Sequence, residues 1–330
     1  MWMAMKPSLI DRYSSRLTRL RTDYNRHRWT AYTAYQAPHK PFLLLSIMDH
    51  FAQGMIQENF IRPSFELVET FYNYWQALMP PTSKGNMAYP FPRLQNDGIF
   101  ELLPNPESTR EINIESISSM KRLREVCLGA RLDDDLFFLL SQTSTREQLR
   151  ATVVNHYFAQ EIRPAVLECG DVNVKAYEYS QDLLKVSEKI AFFEPEEESG
   201  RNIRIRDQGF RRAIVRLYEH RCALCGIRML TPEGHTVVEA AHIKPWSESH
   251  DDRPSNGMSL CRLCHWSFDK GLMSVGNSYE VLVSKRVAAE NNYPGHIFTL
   301  SERVIFKPKD EAYWPGQENL SYHRKTKFPG

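Results

Sequence analysis

The sequence predicts an α+β protein with a mostly helical N-terminal domain and a C-terminal domain braced by a four-cysteine zinc site. The chain has 330 residues, about twice the length of a typical domain, which favours two domains. Apolar stretches with helical spacing fill the N-terminal half, and two C-x-x-C pairs lie in the C-terminal half. We place the domains at 1–180 and 201–330. An acidic, proline-interrupted segment, 181–200, has the composition of a linker between them.

Helices account for most of the predicted N-terminal domain. The spacing of apolar residues predicts helices at 9–29, 42–51, 65–78 and 145–158, with two more that begin at Ser116 and Asp133. The 42–51 helix is apolar on most sides, which is typical of a buried helix. Residues 89–93 contain two prolines, a composition that argues against a helix or a central strand.

Charge is distributed unevenly along a chain of net charge +2. Residues 1–40 hold eight Lys and Arg against two Asp, and residues 201–230 hold eight Arg against one Asp and one Glu. Each block therefore carries +6, which fits either a polyanion bound at two places or two solvated helix faces. Neither a bilayer-spanning apolar segment nor an export signal is recognisable, so we expect a soluble, cytoplasmic protein without a membrane partner.

Four of the six cysteines form two C-x-x-C pairs, Cys222 with Cys225 and Cys261 with Cys264. Two such pairs can supply the four thiolates of a tetrahedral, structural Zn²⁺. A redox role or coincidence would explain a single pair more readily than two. The other two cysteines, Cys127 and Cys169, are single and are predicted to be packed in the protein interior.

The segment between and around these pairs carries the chemistry. A β-like stretch, 237–243, contains His242, Asn256 lies in the loop that follows, and His265 lies on a predicted helix after a second strand. This arrangement, from residue 211 to 271, resembles the ββα-metal site of HNH nucleases, many of which hold the site with zinc bound to two C-x-x-C pairs. The resemblance implies a metal-dependent DNA endonuclease that hydrolyses phosphodiester bonds.

By this resemblance His242 is the general base, a role that suits an imidazole because it titrates near pH 6.5. His265 is a ligand of a catalytic Mg²⁺ or Mn²⁺, separate from the structural zinc. Asn256 fixes the loop and either His242 or the metal. Asp269 lies four residues after His265, on the same helix face, and is a further ligand or a group that supports one.

The chain departs from the HNH pattern at one position. Many HNH sites have an acidic residue or a histidine directly before the general base, and this chain has Ala241 there. Glu239 shares a strand face with Ala241 and can take over as a metal ligand, or it is an ordinary solvent-facing carboxylate. Both interpretations stay open.

Three motifs of the N-terminal half, at 37–45, 89–94 and 129–137, resemble the sulfur-binding domain of McrA-like type IV restriction enzymes, which sense phosphorothioate-modified DNA. The resemblance assigns DNA contacts to His39, Lys40, Tyr89, Pro90, Arg93 and Arg131. Sulfur is larger and less hydrated than the oxygen it replaces, so its pocket should be apolar with cations at the rim. Tyr89 and Pro90 would form that pocket, and His39 and Lys40 would add charge at a helix start. Arg93 would line the pocket or contact a phosphate or base, and Arg131 is a further candidate.

Together these patterns favour a modification-dependent endonuclease acting on double-stranded DNA that carries phosphorothioate. Three alternatives remain: an HNH endonuclease that reads methylated cytosine, one that needs no modification, and a zinc-containing DNA-binding regulator without cleavage. The sequence leaves the oligomeric state open, a homodimer included.

Overall fold

A computed structural model describes residues 8–185, 199–288 and 292–328. The chain divides into two compact units, one up to Val174 together with Pro232–Gly234 and one from Lys175 onward. The division falls within a helix, α8 (Arg163–Lys185). Of the predicted linker 181–200, residues 186–198 lie outside the described residues, residues 181–185 belong to α8, and Ser199 caps the next helix. The boundaries at 180 and 201 stay a prediction.

The N-terminal unit is mostly helical, as predicted. Its helices are α1 (Leu9–Leu17), α2 (His39–Ala52), α3 (Phe65–Leu78), α4 (Pro90–Arg93), α5 (Met120–Val126), α6 (Asp134–Ser141), α7 (Thr143–Tyr157) and the first part of α8. Strands β1 (Phe100–Pro104) and β2 (Cys127–Leu132) pair antiparallel. The helices predicted at 42–51 and 65–78 are present as α2 and α3.

Aromatic side chains from α2 and its neighbours form the centre of this unit. Phe42 on α2 stacks on Tyr74 of α3 and on Phe158, with ring centroids 5.8 and 5.4 Å apart. The apolar surface that α2 presents on nearly all sides is thereby removed from water. Asp49 on the same helix is fully buried and is neutralised by Arg150 at 2.7 Å, as a charge in a protein interior requires.

Two predictions for this unit are wrong at the level of individual elements. The helix predicted at 9–29 ends at Leu17, and the backbone amides of Leu20 and Arg21 donate to Tyr157 and Asp97 instead of to helix carbonyls. Residues 90–93 form the short helix α4 despite their prolines. The prolines lie in its first turn, where the missing N–H has no intrahelical partner anyway.

The C-terminal unit combines helices with short antiparallel strand pairs. Its elements are α9 (Gly200–Leu217), β3 (Val238–His242), α10 (Trp246–Ser249), β4 (Gly257–Cys261), α11 (Arg262–Asp269), β5 (Met273–Val275), β6 (Val281–Val283) and α12 (Gln317–Thr326). Strand β3 pairs with β4, and β5 pairs with β6. Across the described ranges of both units, no helix is long and apolar enough to cross a membrane.

The hairpin of β3 and β4 followed by α11 is the β-strand, loop, strand and helix order predicted from the sequence. Residues on a strand alternate between its two faces. Helix α11 lies on the face that holds Glu239, and α9 lies on the opposite face, where His242 pairs with Gly257. A Cβ atom at Gly257 would lie 2.8 Å from Cγ1 of Ile214 and 3.0 Å from Cζ of Phe210. Glycine at this position therefore allows α9 to pack closely against the hairpin.

Candidate active site

The four predicted zinc ligands come together in the C-terminal unit. The sulfur atoms of Cys222, Cys225, Cys261 and Cys264 all lie within 4.8 Å of one another. The sulfurs of Cys225 and Cys261 are 3.7 Å apart, close to the roughly 3.8 Å edge of a tetrahedron with Zn–S bonds of about 2.3 Å. Gly226, at φ +76°, completes the turn after the first pair and donates its amide to the Cys222 carbonyl. The cluster fits a structural zinc ion.

This cluster ties the start of β3 to the start of α11. Cys261 is the last residue of β4, it pairs with Val238, and it is also the N-cap of α11. A zinc ion held there would fix where α11 leaves the hairpin, and with it the position of His265 one turn further on. In the ranges that the structure describes, no other set of three or more His, Cys, Asp or Glu side chains brings its ligand atoms so close together.

His242 stands at the end of β3 with its ring held from two directions. The ring stacks on Phe210 of α9, with centroids 3.9 Å apart and planes 6° from parallel. Its Nε2 atom lies 2.7 Å from Oδ1 of Asp252, whose side chain is 3% exposed. A carboxylate accepts hydrogen bonds, so Nε2 is the donor to Asp252, and in the neutral imidazole Nδ1 is then the nitrogen that carries the lone pair. Among the described residues, none forms a hydrogen bond with Nδ1.

Asn256 is fully buried and staples the loop between β3 and β4. Its Nδ2 group donates to the carbonyls of Lys244 and Asp251 at 3.0 and 2.9 Å, and its Oδ1 accepts from the Lys244 amide at 2.9 Å. The backbone amide of Ile243 also donates to the Asn256 carbonyl. These bonds draw the loop against the residues that follow His242. The side-chain amide is thus committed to holding the loop, one of the two roles expected for it.

His265 lies on α11 between two of the predicted ligands. Its Nδ1 is 3.4 Å from Glu239, and its Nε2 is 3.6 Å from Asp269. The two carboxylates therefore flank opposite sides of the ring, and Glu239 also approaches Arg262 at 3.3 Å. Ala241 is buried on the strand face shared with Glu239, as alternation predicts. The structure brings Glu239, His265 and Asp269 together, whereas His242 points to the other face of the strand.

Residues 222–276 match the protein-family model described as HNH endonuclease. The C-terminal unit therefore contains a segment that is similar to HNH endonuclease domains. No curated protein matches the chain. Among solved structures, the chain is similar to a modification-dependent restriction endonuclease, TagI, at 21% sequence identity and a TM-score of 0.28. That similarity covers 37% of this chain and 38% of TagI.

In the N-terminal unit, His39 and Lys40 differ from the exposed cations expected at the start of α2. The His39 ring packs between Trp29 and Trp75, with centroids 5.6 and 4.6 Å away. Burial lowers the pKa of His39 to about 4, so the imidazole is neutral near pH 7. The Lys40 ammonium is buried and forms an ion pair with Asp97 at 2.5 Å. Both side chains are therefore used inside the unit.

The remaining predicted DNA contacts lie on and near α4. Tyr89 is 46% exposed, and the guanidinium of Arg93 lies 5.4 Å from the centre of its ring. Arg93 also donates to the carbonyls of Tyr89 and Ile117. Pro90 is buried as the first residue of α4. Tyr89 and Arg93 thus form an aromatic and cationic pair in which the ring is exposed, whereas the Arg93 side chain is only 22% exposed and also approaches Glu115 at 3.5 Å.

Arg131 lies on β2 and pairs with Asp134 at 3.0 Å. Its side chain stays half-exposed in this pair. Nothing in the described contacts of Arg131 joins it to Tyr89 or Arg93.

Sequence reasoning missed Asp252 and assigned it no role in the site. The structure buries this carboxylate and pairs it with His242. The available signal was an acidic residue ten positions after the histidine and four before Asn256. That spacing could be interpreted only from the structure, in which the loop folds back over the end of β3 and brings Asp252 to His242.

Proposed function

We propose that this nuclease is a modification-dependent, type IV DNA endonuclease that recognises phosphorothioate-modified double-stranded DNA and hydrolyses phosphodiester bonds nearby at its HNH site. The observation that carries the catalytic part is the geometry of His242. Its ring is clamped by Phe210 and Asp252, and its Nδ1 lone pair is left available for a proton. That is what a general base needs near pH 7.

In the proposed reaction Nδ1 of His242 takes a proton from a water molecule while the water oxygen forms a bond to phosphorus. The bond from phosphorus to the 3′ oxygen breaks with its electron pair, and that oxygen takes a proton from solvent. A divalent ion, Mg²⁺ or Mn²⁺, would supply Lewis-acid stabilisation of the phosphate and of the leaving oxygen.

His265 is the proposed ligand of this ion, together with Glu239 or Asp269. Each ring nitrogen of His265 faces a different carboxylate. A metal bound to one nitrogen would therefore recruit the carboxylate on that side and leave the other to orient the ring. Asn256 holds the loop in this proposal and does not itself bind the ion.

For the sensor we propose that the exposed Tyr89 ring contacts the sulfur, that Pro90 fixes the backbone beneath this ring at the start of α4, and that Arg93 holds the remaining phosphate charge. A poorly hydrated sulfur favours an apolar surface, and a guanidinium at its edge binds phosphate oxygens. Lys40 supports the unit from inside through its ion pair with Asp97, and His39 does so through its packing between Trp29 and Trp75. Arg131 is proposed as a backbone contact.

The test is digestion of matched plasmids, with and without phosphorothioate, by the full chain in Mg²⁺ or Mn²⁺. We expect cleavage of the modified plasmid alone. Equal cleavage of both plasmids would refute the dependence on modification, and cleavage of a cytosine-methylated plasmid alone would replace sulfur by a methyl group as the signal. Absence of any cleavage on all three substrates would refute the endonuclease proposal.

His242→Ala tests the catalytic assignment. It should lower the single-turnover rate by about 10²–10⁴-fold, the usual contribution of a general base, with DNA binding retained. His250→Asn is the matched control, because His250 lies in the same loop, contacts only Trp246 among the described rings, and has a positive φ that Asn tolerates. Wild-type cleavage by His242→Ala would remove the assignment.

A further inference from the structure

The Asp252 carboxylate has more partners than a loop residue requires. Its Oδ1 atom faces His242, and its Oδ2 atom accepts from the Tyr179 hydroxyl at 2.7 Å. The guanidinium of Arg206 approaches Oδ2 at 3.9 Å and lies over the Trp246 ring. Burying a carboxylate is unfavourable unless it is paired and hydrogen-bonded, and this one has both kinds of partner.

Each partner comes from a different element of the C-terminal unit. Tyr179 lies on α8, Arg206 on α9 and His242 on β3, so the carboxylate is held at a point where three elements meet. Burial raises the pKa of Tyr179 well above its usual value, with Asp252 adding to the rise, so the phenol remains a donor. A carboxylate held in this way cannot rotate away from the imidazole.

We infer that Asp252 is a positioning residue for His242, and that Tyr179 and Arg206 hold Asp252 in place. The inference rests on the proposed role of His242 as general base. The carboxylate holds the proton on Nε2, keeps Nδ1 ready to accept one, and stabilises the imidazolium that forms when the water proton arrives. The proton stays on the imidazole and is not passed to Asp252.

The decisive variants are Asp252→Asn and Tyr179→Phe in the full chain. Asn keeps the size of the side chain but offers an N–H group, so it can favour the tautomer with the proton on Nδ1. We expect its single-turnover cleavage to fall by about 10²–10⁴-fold with unchanged DNA affinity. Tyr179→Phe removes one hydroxyl and should cost about 10–100-fold. Asp251→Asn is the matched control, since the Asp251 carboxylate binds Arg253 and not the histidine.

A structural role alone would not change the tautomer, so the second readout is a ¹⁵N–¹H spectrum of histidine-labelled protein, with the His242 signals assigned through His242→Ala. The wild type should show the proton on Nε2, and Asp252→Asn should show it on Nδ1 or on both nitrogens. An unchanged tautomer, or wild-type cleavage by Asp252→Asn, would overturn the inference.

Failure of this inference is distinguishable from failure of the proposed function. If His242→Ala is inactive while Asp252→Asn is fully active, His242 stands as the base and Asp252 loses its role. If His242→Ala cleaves normally, the general-base proposal fails first. Tyr179→Phe keeps the inference testable should Asp252→Asn fail to fold, because it leaves the buried carboxylate its other partners.

Discussion

Gly257→Ala should damage both the stability and the chemistry of the nuclease unit. The added methyl group would lie 2.8 Å from Cγ1 of Ile214 and 3.0 Å from Cζ of Phe210. Both side chains are buried, at 0% and 3% exposure, so neither can turn out into solvent. Relief requires α9 to move away from the hairpin, and overpacking of this kind typically costs about 1–3 kcal/mol of unfolding free energy.

The same movement carries Phe210 away from His242, because their rings are stacked 3.9 Å apart. A misplacement of a catalytic group by about 1 Å can cost about 10²-fold in rate. We therefore expect the single-turnover cleavage rate of Gly257→Ala, at saturating metal and enzyme, to fall by about 10–100-fold. Chemical denaturation and quenched-flow cleavage of one modified duplex measure the two effects.

A double-mutant cycle tests the steric explanation. Ile214→Ala alone should destabilise, by about 2–5 kcal/mol for a buried truncation, but it makes room for the methyl group at position 257. Gly257→Ala should therefore lower the free energy of unfolding by less in the Ile214→Ala background than in the wild type. Gly200→Ala is the control, since a Cβ at this first residue of α9 meets no atom of the described residues within 4 Å. Wild-type stability and cleavage of Gly257→Ala would refute the reasoning.

Three further predictions concern zinc, pH and the sensor. Cys261→Ser, or chelation of the metal, should unfold the C-terminal unit, because a structural zinc contributes about 10–16 kcal/mol in small metal-dependent domains. Cys127→Ser should lower the stability only slightly. Zinc content and two-stage thermal unfolding measure these effects. Burial lowers the pKa of His323 to about 4, so the unfolded chain binds one more proton than the folded chain below pH 6.5. The free energy of unfolding should therefore fall by about 2 kcal/mol between pH 7 and pH 5. A denaturation series in which His323→Gln loses the same free energy of unfolding over this pH range would contradict the prediction. Tyr89→Ala should reduce the preference for phosphorothioated over unmodified duplex in titrations. Arg19 is an exposed cation of the basic segment 1–40, so Arg19→Ala should weaken both complexes alike and reduce their salt dependence. An unchanged preference in Tyr89→Ala would count against the sulfur pocket.

The local sequence pattern was sufficient to predict those elements whose capping residues and apolar spacing lie within the element itself. Helix α3 begins and ends where predicted, because Ser64 caps its first turn and its apolar residues repeat with helical spacing. The cysteine spacing likewise predicted a cluster that the structure assembles. The strand that contains His242 and the helix that contains His265 were also expected in their observed order.

The pairing of charges was not predictable in the same way. Lys40 and Asp97 are 57 residues apart in the sequence, and Tyr179 and Asp252 are 73 apart. A single sequence shows each of these as an isolated polar residue, so Lys40 was predicted to contact DNA and Asp252 was assigned no role. Only the structure shows that Lys40 and Asp252 are buried and that each is paired with a residue distant in the sequence. The predicted and observed sites differ most at these two residues.

The loop staple also has a consequence for the chemical ageing of the enzyme. Asn256 is followed by glycine, the sequence in which an asparagine side chain most readily cyclises onto the next backbone nitrogen and deamidates. In the folded chain that nitrogen donates to the Pro254 carbonyl, and the side-chain amide of Asn256 is held by Lys244 and Asp251. Folding thus shields the reactive pair, and unfolding releases it. Prolonged unfolding should convert Asn256 to a carboxylate in some chains, and this carboxylate would face the carbonyl oxygens of Lys244 and Asp251 after refolding. Activity lost on heating should therefore return less completely the longer the chain has stayed unfolded.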